Sequence, residues 1–402
     1  MALDSPPRGR PLVLALLPLG LVFLAVGLST AVVGPFLALF LSTSVHAGPV
    51  KVTVFLVAAP LAGVTLSTAI ARFSDRRAIR RRLLIGAATA GMIGTGVTAF
   101  VRDYWILLAL AVTATALAGS LFPQTFAYAR QVLTRDSPGR AAMGISSLRT
   151  VFSLAWVAGP PFAALLLSTG GFRYVYLMAA AMYALAALVA IVWLDEVEAP
   201  APVRDNAPVV SDDRLDSPRW TLWLTVVAFT LTQAPLTLGV QALPLLISRD
   251  LGGRAEQAGL LLGLCAFLEI PLMLGLGWLT TRVRLRAMML AGAGCGVAYQ
   301  VLATTATGVG VLAVGQLFNA LFIASVSGLG ITYMQDMLPR HPGRATTLFT
   351  NSFPIGAVLA GPLFGLSQHF GFRLAFGLNA ALCAAGLLLL LVVKPDPKPA
   401  PG

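Results

Sequence analysis

Residues 128–143 read YARQVLTRDSPGRAAM, and residues 333–348 read YMQDMLPRHPGRATTL. The likeness runs on from there. SLAWVAGPPFAALL (153–166) and TGGFR (169–173) are followed about two hundred residues later by VLAGPLFGL (358–366) and HFGFR (369–373). Tyr128 answers to Tyr333, Pro138-Gly139-Arg140-Ala141 to Pro342-Gly343-Arg344-Ala345, Ala158-Gly159-Pro160 to Ala360-Gly361-Pro362, and Gly171-Phe172-Arg173 to Gly371-Phe372-Arg373. The offset drifts only from 205 to 200, and this agreement in order and spacing marks a duplicated half.

The chain has 402 residues, of which 57% are hydrophobic and 11% charged, where soluble domains carry about 25% charge. Such a chain cannot hide its apolar surface in a water-soluble core, so it belongs in a bilayer. The net charge of +12 does not point to nucleic acid, because the arginines sit in short runs between apolar blocks and form no extended basic face. Cys265, Cys295 and Cys383 each lie inside an apolar block without metal-ligand spacing, which argues against a disulfide framework or a metal site. No nucleotide-binding loop is present, so no nucleotide or other cofactor is expected.

Twelve apolar blocks reach the length of about 20 residues that a membrane crossing requires. They cover 12–41, 52–73, 83–101, 105–133, 141–168 and 174–194 in the first half, and 220–247, 257–281, 287–305, 309–338, 345–369 and 374–393 in the second. The first is too long for the ~7–15-residue core of a secretory signal and is expected to be retained. In lipid these blocks must be helices, since nothing outside the segment satisfies its backbone. Between the halves, residues 195–219 are rich in Pro and Asp and lack apolar periodicity, as a solvated linker does. The expected architecture is therefore all-α, with six-helix bundles in 1–194 and 220–402 joined by that linker.

Basic residues orient the spans. With a cytoplasmic N-terminus, 21 of the 28 Lys and Arg fall on the cytoplasmic side and 6 on the other, with Arg149 alone inside a span. Both termini are expected in the cytoplasm. Gly20, Gly27 and Gly34 recur on one face of the first span, and Gly259/Gly263 and Gly361/Gly365 have the spacing that lets membrane helices approach closely. Prolines within spans, among them Pro35, Pro160, Pro161 and Pro362, predict bends.

Two parallel six-helix halves joined by a polar central loop resemble the major facilitator superfamily, whose halves are related by an axis along the membrane normal. The loop Ala71-Arg72-Phe73-Ser74-Asp75-Arg76-Arg77-Ala78 is similar to that superfamily's signature, with alanines at two usual glycines; Gly277-Trp278-Leu279-Thr280-Thr281-Arg282 keeps the glycine and loses the acid. PQTFAYAR (123–130), SLAWVAGPP (153–161), LEIPLML (268–274), LFNALFI (317–323), YMQDMLP (333–339) and ATTLFTN (345–351) resemble the sugar efflux transporters within it. That resemblance implies proton-driven export of sugars across a bacterial inner membrane, and a chain that works as a monomer.

Two charges lie deep in spans. Arg149 is roughly 12 Å into span 5 and Glu269 roughly 18 Å into span 8, at ~1.5 Å per residue. Charges at such depth cost at least ~2.5–3.5 kcal/mol on insertion scales. They are expected to face a cavity or each other: as a proton-coupling pair centred on Glu269, as a permanent ion pair, or as substrate ligands. Sugar hydroxyls need side chains that both donate and accept. Gln316 and Asn319, three apart on span 10, are the first candidates, followed by Gln124, Gln233 and Asn351; the alternative for each is an interhelical hydrogen bond. Asp75, Arg76 and Arg77, with Arg130 and Asp336 at the cytoplasmic ends of spans 4 and 10, are candidates for a cytoplasmic gate; membrane anchoring suffices for Arg80 to Arg82 but needs no acid at Asp75, and the alternative for Arg130 and Asp336 is ordinary loop charge. Two rival readings stay open. Export of lipophilic drugs would favour an aromatic cavity with few amides, and an integral membrane enzyme would want paired carboxylates in a sizeable extramembrane loop.

Overall fold

The computed structural model describes residues 12–74, 79–136, 141–196 and 216–393, and every regular element among them is helical. Ten of these helices are long and apolar enough to cross a membrane. α1 consists of Leu12–Val33 and Leu37–Thr43 around a 3₁₀ turn, Gly34–Phe36. α2 is Pro49–Ser74, α3 is Arg80–Thr98, and α4 runs from Tyr104 through a π turn at Ala111–Thr115 to Asp136. The stretch Ala141–Val192 is two crossings, α5 and α6, parted at Gly171. α7 is Arg219–Leu245, α8 Gln257–Leu279, α9 Leu285–Thr305, α10 Val309–Met337, α11 Pro342–Phe370 and α12 Phe372–Val392. The break at Gly171 adds one crossing to the ten. α3 is less apolar and is not among the ten, because it opens on three arginines and holds four glycines. Among the described residues, helix lies along all twelve of the expected spans.

The side carrying the α1–α2, α5–α6, α7–α8 and α11–α12 turns is called outer. At the two outer GFR sequences the repeat has a backbone reason. Gly171 has φ 65° and ψ −164°, and Gly371 has φ 105° and ψ 148°, a region that only glycine enters readily. Each GFR arginine then reaches the outer end of the third helix of its half. The Arg173 guanidinium lies 4.6 Å from the Phe100 ring centre, and Arg373 Nη1 donates to the Thr304 carbonyl at 2.8 Å.

The residues form two compact units that do not follow the sequence halves. The first contains α1 up to Val33, Ala62–Gly159, and α6 from Gly170. Its core joins Leu19, Phe23, Leu84, Leu121, Tyr128 and Tyr183, with the Phe23 and Phe126 rings edge to face at 4.4 Å. The second contains Gly34–Leu61, Pro160–Thr169 and the whole second half. Its core joins Phe229, Met289, Phe322, Met334 and Phe349, with Phe229 and Phe349 edge to face at 5.0 Å. In lipid the packing within each core contributes mainly through dispersion, since apolar contact alone does not distinguish protein from acyl chain. Buried hydroxyls turn back on their own helices; Thr95 Oγ1, for instance, donates to Gly91 O at 2.7 Å.

Most of the linker, residues 197–215, lies outside the described residues, but both its ends are tied down. Tyr128 Oη donates to Asp195 O at 2.7 Å, and Glu196 accepts from the Arg81 N–H at 3.0 Å. At the far end Ser217 N–H donates to Met337 O at 2.9 Å, and Asp216 meets Arg340 N and His341 Nδ1 at 3.2 and 2.7 Å.

Candidate functional site

The amides expected on α10 are found in a buried chain of hydrogen bonds within the second unit. Gln316 Nε2 donates to Tyr299 Oη at 3.2 Å, while Asn319 Nδ2 lies 3.1 Å from Gln316 Oε1 and 3.4 Å from Cys265 Sγ. This chain ties α8, α9 and α10 together. Gln316 is fully buried and Asn319 nearly so. Glu269 stands one turn beyond Cys265 on α8, half-buried, 12 residues from the start of that helix. Cys265, where the polar chain meets α8, and the carboxylate therefore occupy neighbouring turns of one helix.

Gln233 differs from Gln316. It is 1% exposed at the centre of α7, and neither its Oε1 nor its Nε2 has a hydrogen-bond partner among the described residues. Gly356 of α11 packs against it so closely that a methyl there would fall 2.8 Å from Ala234 N. A buried unpaired amide costs about 1–3 kcal/mol. Gln124, in the first unit, is likewise buried with Oε1 unpartnered among the described residues. Asn351 is exposed on α11.

Arg149 is exposed on α5 and belongs to the first unit, whereas Glu269 belongs to the second. Arg130 and Asp336 are exposed at the ends of α4 and α10, again in different units. Asp75, Arg76 and Arg77 lie outside the described residues.

Sequence reasoning missed the outer end of the second unit. Gly361, Gly365 and Gly259 act there. A methyl at Gly361 would fall 2.6 Å from Val57 Cγ2, Gly365 touches Thr53, and Gly259 lies against the Pro160 carbonyl with Ala164 close by. Gln368 Nε2 adds bonds to Ser42 Oγ at 3.4 Å and Ala47 O at 3.3 Å. Gln241 of α7 then reaches α1: its Nε2 donates to Gly34 O at 2.8 Å and its Oε1 accepts from Ala38 N–H at 3.0 Å. Beside it lies a cavity of about 160 Å³, lined by Phe55, Pro60, Thr237, Gln241, Gly361 and Phe364 among others. The Gly-Pro pair at 34–35 marks the break in α1, but its partner on α7 is 203 to 207 residues away and carries no local signal.

Comparison with known proteins gives a consistent result. The sequence profile of the Major Facilitator Superfamily matches residues 19–240 and 236–402. Sugar efflux transporter A of Dickeya chrysanthemi is 35% identical over 375 residues, covering 90% of this chain and 93% of that protein. Sugar efflux transporter A of Escherichia coli K12 is 34% identical over 376 residues, covering 93% and 95%. Among solved structures, a point mutant of the nucleoside transporter NupG superimposes with a TM-score of 0.79 at 11% identity, covering 94% of this chain and 99% of that one. A POT family transporter in complex with 5-aminolevulinic acid gives 0.76 at 12% identity, covering 94% and 95%. At those identities the structures speak for the fold alone.

Proposed function

The chain belongs to the Major Facilitator Superfamily and, within it, to the sugar efflux transporters, and we propose that it exports sugars or glycosides from the cytoplasm in exchange for protons. It is a multi-pass membrane transporter and not an enzyme. The observation that carries the sugar reading is Gln233: a buried mid-span amide with both of its atoms unpaired among the described residues suits a hydroxylated solute, which offers donor and acceptor at once. The names of the full-length relatives support the same substrate class. A lipophilic cation would leave that amide unsatisfied, which disfavours drug export.

In this reading Gln233 meets the sugar, and Gln316 and Asn319 hold α8, α9 and α10 in the geometry that presents Glu269. Glu269 carries the coupling proton, because ionisable side chains within spans mark ion pathways and proton relays. The excess of Lys and Arg on one side supports cytoplasmic termini in an inner membrane. Proteoliposomes with an imposed pH gradient and a panel of labelled sugars test the proposal. Uptake of at least one sugar driven by the gradient is expected; response to lipophilic cations with none to sugars would overturn it.

A further inference from the structure

Arg81 and Tyr128 of the first unit have counterparts 205 residues later in Arg286 and Tyr333 of the second. The match extends to their contacts. Arg81 bonds Ala190 O and Ile191 O at the end of α6, and Arg286 bonds Leu390 O and Leu391 O, 200 residues later, at the end of α12. Both helices close with the same backbone bond, Trp193 N–H to Val189 O and Val393 N–H to Leu389 O, each 2.9 Å. Leu194 and Val393 are then buried in the cores of their own units. Beyond Leu194 the first unit uses two further residues: Tyr128 Oη donates to Asp195 O at 2.7 Å, and the Glu196 carboxylate accepts the Arg81 N–H at 3.0 Å, capping the start of α3. In the second unit the matching donors are present without acceptors. Tyr333 is 3% exposed, and neither its Oη nor the buried Nε of Arg286 has a hydrogen-bond partner among the described residues. The Arg286 guanidinium lies beside the Tyr333 hydroxyl, but a guanidinium only donates and leaves the tyrosine proton unplaced. The start of α9 has no side-chain cap, and the turn before it, 280–286, brings three arginines and no acid.

We propose that these donors form a docking site for the chain's own residues 394–396, which lie outside the described residues: the Lys394 carbonyl accepts from Tyr333 Oη, and the Asp396 carboxylate accepts from Arg286 Nε–H and caps α9. Buried donors are costly to leave unpaired, and a carbonyl beside a carboxylate is what the first unit supplies at the same place. Asp396 is the one acid in 337–402, so the charge complement of the three arginines is unambiguous within this stretch. The reach is sufficient. The chain leaves α12 at Val393 in an extended conformation, φ −70° and ψ 111°, and three further residues span at most about 10 Å. Asp396 stands three residues beyond Val393 where Glu196 stands two beyond Leu194, and the extra residue offsets the shorter side chain. A lipid phosphate would suit the exposed Arg282 and Arg284 but not the buried Tyr333 hydroxyl, which shares a core with Val393. The second half is then clasped by its tail as the first is by the start of the linker, whatever solute the chain carries.

Thermal unfolding of the purified full chain tests the clasp, with the first unit as reference. Tyr128→Phe removes the bond to Asp195 O and is expected to lower the midpoint by a few degrees. Tyr333→Phe is expected to do the same, whereas removal of a hydroxyl that has no acceptor would leave the midpoint unchanged or raise it. In a chain ending at Val393, Tyr333→Phe is expected to have no further effect. Asp396→Asn is expected to lower the midpoint as Glu196→Gln does, with and without added phosphatidylglycerol. If the shortened chain fails to fold, oxidation of the cysteine pair R284C/P397C carries the test, over the background of the three native cysteines; its disulfide is expected to form several-fold faster than that of R284C/G402C. A neutral Tyr333→Phe, an equal loss in the full and shortened chains, or equal oxidation of the two pairs would overturn the proposal. An Asp396→Asn variant that phosphatidylglycerol restores fully would also overturn it, and would give the site to a lipid phosphate.

Discussion

Arg81 and Arg286 do the same thing in the two halves of the chain. Arg81, in the first turn of α3, donates from Nε to Ala190 O at 3.2 Å and from Nη2 to Ile191 O at 2.7 Å. Arg286, in the first turn of α9, donates from Nη2 to Leu391 O at 2.8 Å and Leu390 O at 3.4 Å. The acceptors belong to the last turns of α6 and α12, whose final carbonyls have no partner within their own helix and sit at the negative end of its dipole. Each arginine so closes its half by fastening the last helix to the third. Hydrogen bonds to charged groups contribute about 1.5–3 kcal/mol, less where exposed. Arg81→Met and Arg286→Met should each lower the thermal midpoint in detergent by a few degrees, with lysine restoring part of the loss.

The GFR glycines should resist substitution for a backbone reason. Gly171→Ala and Gly371→Ala force a side chain into conformations that cost about 1–3 kcal/mol. Nothing lies near either position to clash with the added methyl, so any destabilisation measured by thermal unfolding reports strain alone. Gly308→Ala, likewise without close neighbours but at φ −173°, is the matched control and should be close to neutral.

Gln233 and Gln316 make opposite predictions from the same substitution. Gln233→Leu removes an unpaired buried amide and should leave the protein as stable or more so, by up to about 1–3 kcal/mol, while sugar transport falls. Gln316→Leu strips Tyr299 and Asn319 of a partner and should destabilise by a similar amount. Thermal unfolding and transport measured side by side distinguish them; a stable, fully active Gln233→Leu would remove the amide from the substrate site.

At the outer end, Gly365→Leu should insert normally yet abolish transport, because the new side chain falls on Thr53 and keeps α11 from α2. Gly275→Leu, with open space around it, should transport normally. Equal activity of the two variants would show that the outer packing is not part of the cycle.

What the sequence disclosed and what it did not divide along physical lines. Landmarks that act through their own backbone were legible: the GFR glycines, the apolar lengths of the spans, the duplicated order. The third block, 83–101, is helical as expected, although the helix starts earlier, at Arg80. Side chains whose role depends on a distant partner were not legible. Gln316 and Asn319 were rightly placed on one face, yet only the fold shows that Tyr299 and Cys265 occupy them. Gln233 and Gln241 are both amides in the same apolar helix; one is unpartnered among the described residues and the other wedged into α1, a difference decided by neighbours more than a hundred residues away. Gly361, Gly365 and Gly259 marked close approach but not its target, which proved to be α2 for the first two and α5 for Gly259.

Glu269 is proposed as the group that links sugar movement to protons. The direct measurement is sugar-dependent proton flux in proteoliposomes, comparing the parent with Glu269→Gln, which keeps the shape of the side chain and removes its titration. The prediction is that the variant still binds sugar and still equilibrates it across the membrane, but moves no protons with it and cannot concentrate it against a gradient. Sugar-dependent proton flux in Glu269→Gln equal to the parent's would contradict the account.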